Sequence, residues 1–174
     1  MATSTRLWLI APALLALSSA PASAAEARAK NWQAPAGEIR AQALSNVIMA
    51  RHPELLSVTL HGTPPGATGV YTMFAGSYPD RVGNPDDPDD IDVIVKGITI
   101  IDPRWGRTDP VKKFVVQLPL RDRRGANVGL IVFAFKVRPE DRHGEVYYFD
   151  AAAGMRDRLS HRIERYADLF APAG

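Results

Sequence analysis

Val115-Val116-Gln117-Leu118-Pro119-Leu120-Arg121, then Asp122-Arg123-Arg124-Gly125-Ala126-Asn127, then Val128-Gly129-Leu130-Ile131-Val132 decide the fold class. The two outer runs are apolar and rich in β-branched residues, and the middle run is turn chemistry. The spacing predicts a strand over 113–120, a hairpin turn over 122–127 and a strand over 128–137. A connection this short forces the two strands to be antiparallel.

Working toward the N-terminus, Ile91 to Ile101 is again β-branched and reads as a strand interrupted at Gly97. Asp102 to Pro110, carrying Trp105, reads as a loop. Gly76 to Asp90 reads as a long polar loop with room for one helical turn. A strand is expected over 70–75. Leu56, Val58 and Leu60 alternate with Ser57, Thr59 and His61, which marks a half-buried strand over 55–61. Before it, Ile39, Ala43, Val47 and Ala50 share one face of a helix over 37–51, which His52-Pro53 ends.

Toward the C-terminus, Glu145 to Phe149 reads as a short strand. Asp150 is the expected cap of a final helix over 151–170. In it Met155, Leu159, Ile163, Tyr166 and Phe170 form an apolar stripe and arginines cover much of the rest. Helices at both ends of a run of strands give an α+β fold, with the helices on one or both sheet faces.

The first 24 residues read as an export address. Arg6 precedes an apolar run from Leu7 to Leu17, and Ala22-Ser23-Ala24 is an A-x-A cleavage site. Cleavage after Ala24 leaves a flexible leader over 25–36 and one domain over 37–174, placed in the periplasm or secreted. No apolar run reaches the roughly 20 residues of a membrane span, so the exported chain is expected not to be membrane-inserted. The 174 residues carry 21 Lys+Arg against 19 Asp+Glu. This near-neutral balance argues against a nucleic-acid partner. With no cysteine, disulfides, thiolate zinc sites and cysteine nucleophiles are excluded.

His52-Pro53-Glu54-Leu55 followed by Leu56-Ser57-Val58-Thr59-Leu60 resembles the opening of Cache domains, the PAS-like extracytoplasmic sensor modules of bacterial receptors. Pro119-Leu120-Arg121-Asp122, Gly125 and Gly129 are similar to the run that links the last two strands of PAS and Cache folds. The resemblance covers roughly residues 38–150. It implies a PAS/Cache-like central antiparallel sheet of about five to six strands with an N-terminal and a C-terminal helix. It also implies a ligand pocket opening after the second strand. Cache domains normally lead to a signalling module, whereas here only Ala-Pro-Ala-Gly follows Phe170. A sensor with no output module of its own must act through a partner, such as a membrane-bound receptor or signalling protein, or else the chain is not a sensor.

On this reading a small polar metabolite is bound by His61, Tyr71, Met73, Tyr78, Arg81, Asp92 and Lys96. The tyrosines line the pocket, Arg81 or Lys96 neutralises an anionic group, and Asp92 accepts from an amine. Each has a plainer role: His61 as a structural residue beside a turn, Arg81 paired with Asp80 or the acidic loop. Asp92 and Lys96 are expected on one face of the third strand. Asn84 to Asp92 holds five carboxylates, giving a capped turn, a docking surface or a calcium site in which Asp86, Asp87, Asp89 and Asp90 are the candidates. The loop lacks the glycine and glutamate of an EF-hand. No cofactor is expected and no catalytic residue is assigned. Ser77 is not in a Gly-x-Ser-x-Gly elbow, and the histidines lack His-Glu-x-x-His spacing. The alternative is an interaction or structural module using the acidic loop 84–92, with a secreted hydrolase behind it.

Overall fold

The computed structural model describes residues 29–104, 112–138 and 140–174. The expected export signal and Trp105 lie outside the described residues. Along the chain come α1 (Arg40–Arg51), β1 (Leu55–Gly62), β2 (Thr72–Gly76), a 3-10 turn (Pro79–Arg81) and α2 (Pro88–Lys96). Then follow β3 (Ile100–Pro103), β4 (Lys113–Arg121), β5 (Asn127–Lys136), α3 (Glu145–Ser160) and a second 3-10 turn (Tyr166–Phe170). The fold is α+β, and its five strands form one sheet in the order β2-β1-β5-β4-β3, with every neighbouring pair antiparallel.

The β4–β5 hairpin forms as its residues dictate. Asp122 Oδ1 accepts from the amides of Arg124 and Ala126 at 2.9 Å each, and Gly125 sits at a positive φ of 83°. In the strands, Val116, Leu118 and Leu120 of β4 pair with Phe133, Ile131 and Gly129 of β5. Together with Val58 and Leu60 of β1 they make one face of the sheet. Side chains alternate faces along a strand, so Ser57, Thr59, His61, Gln117, Leu130, Val132 and Ala134 point to the other.

The first face carries the main core. Leu44 of α1, Met155 and Leu159 of α3, and Ile163 and Leu169 beyond it are buried against Phe114, Phe133 and Phe135. Tyr148 stacks on Phe114 with centroids 4.7 Å apart. Burying such side chains supplies about 2 kcal/mol each. Trp32 meets Phe170 edge-on, and the Asn31 amide donates to the carbonyl of Gly83 at 2.9 Å, so part of the expected leader is anchored on the domain.

Three expectations are corrected. The acidic stretch is not a loop throughout, and 91–101 is not one strand: Pro88–Lys96 is helix α2, and β3 is Ile100–Pro103. Asp87 caps α2 in a reciprocal capping box with Asp90, Pro88 occupies the first turn, and Gly97 closes the helix in the left-handed region. These end signals outweigh the strand preference of Ile91, Val93, Ile94 and Val95. Secondly, 145–149 is not a strand but the start of α3, capped at Gly144, so Asp150 lies inside the helix. Thirdly, the last helix does not run unbroken to Phe170. It stops at Ser160, where the carbonyls of Arg162 and Ile163 are taken by the Arg40 side chain and the Arg123 amide. Met155, Leu159 and Ile163 of the stripe are buried nonetheless, and Tyr166 and Phe170 pack, partly buried, against the same core.

Candidate functional site beneath helix α2

Helix α2 lies over the second face of the sheet, against β5, β4 and β1, with Val93 fully buried. Under its N-terminus this face is polar. Thr59, His61 and Gln117 retain only 8% of their surface each. His61 Nδ1 lies 2.7 Å from Asp86 Oδ1 and 4.0 Å from Asp90 Oδ2, and its Nε2 lies 2.7 Å from Thr59 Oγ1. The Gln117 side-chain amide donates to Asp90 at 2.9 Å and to Asp89 at 3.3 Å.

Local backbone structure places these groups. Thr59 and His61 are two apart on β1 and share a face. Residues 83–86 run beside the start of β2. The Met73 amide donates to the Asn84 carbonyl at 3.2 Å, the Asp86 amide to the Tyr71 carbonyl at 3.1 Å, and Thr72 Oγ1 to the Asn84 carbonyl at 2.8 Å. This pins Asp86 beside His61. Asp90 is held by the capping box of α2. Gly129 lets β5 approach β1 at the same level: its φ is +156°, and a Cβ there would meet the His61 carbonyl oxygen at 2.5 Å.

The electrostatics are strained. Burial pushes the Asp90 carboxyl up to about 6, and the neighbouring Asp86 adds to this against the opposing pull of His61. Asp86 is also raised, chiefly by burial, against its hydrogen bond to His61. Tyr166, on the far side of Gly62, is raised by burial and then by the charge of Asp86. Among the described residues, Asp86 Oδ2, Gln117 Oε1 and Tyr166 Oη are buried without a hydrogen-bond partner. Unmet buried polar atoms are costly; Asp86 and Gln117 belong to the cluster under α2, whereas Tyr166 packs with Phe74 and Phe170 on the core side.

The structure distributes the sequence-derived site residues unevenly. His61 and Met73 pair across β1 and β2, and Met73 is 4% exposed. Tyr71 is half-buried and takes part through its carbonyl. Tyr78 and Arg81 stand apart, the guanidinium 4.6 Å above the tyrosine ring. Asp92 and Lys96 are corrected: they sit one helical turn apart on α2 rather than on a strand, paired at 2.8 Å in solvent. Of the acidic candidates, Asp86 and Asp90 turn inward to His61, while Asp87 and Asp89 are exposed. The sequence reading missed Thr59 and Gln117. Gln117 carried a usable signal, as the one polar side chain within Val115-Val116-Gln117-Leu118.

An open cleft of about 590 Å³ lies between the β4–β5 turn and the segment after α3, where Arg40, Arg124 and Arg162 face Glu164 and Asp168. Its two acids are ion-paired, Asp168 with Arg165 and Glu164 with Arg123 at 2.7 Å each.

No family profile matches this chain, and no curated protein matches it. Among solved structures, it is similar to the Escherichia coli DcuS sensor domain at 19% identity and a TM-score of 0.39. That match covers 55% of this chain and 65% of the other, just under two-thirds of its length. The GAF domain of a two-component sensor histidine kinase from Bacillus halodurans is similar at 14% identity and a TM-score of 0.45, covering 70% and 92%. A type II free methionine-R-sulfoxide reductase from Thermoplasma acidophilum is similar at 14% identity and a TM-score of 0.43, covering 70% and 89%. Sensor domains and an enzyme stand side by side in this set, and the likeness is one of outline.

Proposed function

We propose that this protein is a non-catalytic, sensor-like binding domain. It is exported to the periplasm or beyond, takes a small cationic ligand between the sheet and α2, and acts through a partner. The observation that carries the reading is the pair of inward-facing carboxylates, Asp86 and Asp90, buried with a single imidazole and with Asp86 Oδ2 unsatisfied. Two buried carboxylates against one histidine call for further positive charge. The two cations first considered for an anionic ligand, Arg81 and Lys96, lie at the surface away from this cluster, which favours a cation over an organic acid.

A hydroxyl–imidazole–carboxylate chain also describes a nucleophile with its base. Thr59 is a poor nucleophile here, because it is buried in mid-strand and its hydroxyl is committed to His61. Binding would be felt by α2, which touches the cluster through Asp90 and is tied to the sheet by Gln117.

Thermal unfolding of the purified protein against amines, basic amino acids, organic acids and purines tests the reading. A ligand at about 100 times its dissociation constant adds about 2.7 kcal/mol, a shift of about 5–10 °C. A shift confined to cationic ligands, and lost in Asp86→Asn, supports the proposal. A shift with organic acids alone overturns it. The partner is tested by pull-down from membranes, and recovery of nothing above background sinks that part.

The exposed carboxylates of Asp87 and Asp89 favour a second reading, an interaction module docking through the outer face of the α2 N-terminus. Charge reversal at Asp89 would then weaken partner capture while ligand shifts persist.

A further inference from the structure

Thr59 Oγ1 and Asp86 Oδ1 each lie 2.7 Å from a different nitrogen of His61. A hydroxyl donates or accepts equally well. When Thr59 accepts, the ring carries its proton on Nε2 and turns the Nδ1 lone pair toward Asp86 and Asp90. Metal-binding histidines are held this way, one ring N–H fixed by a neighbouring oxygen and the other nitrogen free to ligate. His61 Nδ1 and one carboxylate oxygen each from Asp86 and Asp90 all lie within 4.8 Å of one another. Ligands about 2.0–2.2 Å from a divalent ion stand about 3–4 Å apart, so an ion is seated when the 2.7 Å pair of His61 and Asp86 opens slightly, with Asp90 already 4.0 Å from the ring nitrogen.

A second observation comes from the sheet, on β4. Gln117 is 8% exposed, its amide end lies against Asp90, and its Oε1 has no partner among the described residues. Half a turn of the amide exchanges its oxygen and nitrogen, which directs a neutral oxygen donor into the cluster. Asp86 Oδ2, on a side chain 1% exposed, is a further open donor.

We propose that His61 Nδ1 and the carboxylates of Asp86 and Asp90, completed by the amide oxygen of Gln117, bind a divalent first-row transition-metal cation. One imidazole with three oxygen donors suits zinc or its neighbours, whereas calcium and magnesium take oxygen alone. The site is that of the proposed function, and the inference rests on that reading by naming its cation. Asp87 and Asp89 stay outside the shell, and Thr59 is a positioning residue that fixes the ring.

The test uses untagged full chain, stripped with chelator and titrated with zinc(II) by calorimetry, with calcium(II) as the contrast and cobalt(II) absorption as the report on ligand type. The expected result is one zinc per chain, no calcium binding, and a cobalt spectrum that changes in His61→Gln. Asp86→Asn should weaken zinc at least 30-fold, and Thr59→Val about tenfold, as loss of an orienting partner does. Asp92→Asn, at the solvent-facing pair, should leave binding unchanged. Asp90→Asn, at a side chain that keeps 14% of its surface, keeps the test valid should the His61 variant fail to fold. Zinc binding that survives both Asp86→Asn and Asp90→Asn is adventitious and overturns the proposal, as does no zinc binding at all. If zinc fails while amines still shift the melting temperature through Asp86, the metal inference falls and the binding reading stands. If neither binds, both fall.

Discussion

The side-chain amide of Gln117 on β4 donates to the Asp90 carboxylate on α2 across 2.9 Å, joining the sheet to the helix that covers its polar face. This contact links the charge state of a buried acid to the seating of α2, and several measurable consequences come from it.

Stability should fall as pH rises through the acid range. The folded protein holds the Asp90 proton up to about pH 6, while the unfolded chain releases it near 3.8. The folded state therefore binds more protons between these values, and its advantage is present below 3.8 and lost above 6. Asp86 and Asp89 add negative charge beside the group and His61 opposes them. Denaturant unfolding of metal-free protein should show about 1 kcal/mol more stability at pH 5 than at pH 7 from this group alone. A profile for Asp90→Asn with the same slope as the unmodified chain would refute the assignment.

Asp90→Asn should raise the melting temperature of ligand-free protein at pH 7 by about 3 °C, because it removes a buried charge and keeps a carbonyl for the capping box. The same change should reduce ligand response. A variant that loses stability and binding together would mean the carboxylate is structural.

Gly129→Ala should be costly. The backbone there has φ of +156°, and the added carbon meets the carbonyl of His61. Strain and displacement of β1 from β5 should remove at least about 2 kcal/mol, read as a drop in melting temperature of about 4–8 °C. An unchanged melting temperature would show that the two strands are not held this closely.

Asp87→Ala should act locally. Loss of the cap costs about 1 kcal/mol and should speed amide exchange in the first turn of α2, while Asp87→Asn restores protection. Exchange that accelerates equally in α1 and α3 would contradict an independent role for this cap.

Legibility in the sequence followed the range of the forces involved. The β4–β5 hairpin was readable because Asp122, Gly125 and the flanking apolar runs act over a few residues. Residues 91–101 were misread because β-branched Ile91, Val93 and Val95 suit a strand, while Asp87, Pro88 and Gly97 fix the ends of a helix. Both signals are local, and the end signals outweighed the strand preference, with Val93 buried against the sheet in the resulting helix. The final stripe named the buried residues correctly and their continuity wrongly, since the break depends on Arg40 and Arg123, distant in sequence, capturing the carbonyls of Arg162 and Ile163.

By itself the sequence determined an α+β chain whose closing hairpin is antiparallel, because alternation and turn chemistry act between near neighbours. It also marked the acidic stretch as unusual and named His61 among the ligand candidates. Only the tertiary structure decided that Asp86 and Asp90 turn inward while Asp87 and Asp89 stay in solvent. It also decided that Thr59, His61 and Gln117 form one buried polar group with them. The reason is physical: Asp86 is placed by a backbone pairing to β2, Asp90 by the helix that begins at Asp87, and Gln117 by sheet register. The distances among them arise from three separate elements meeting over one face, which no local pattern encodes.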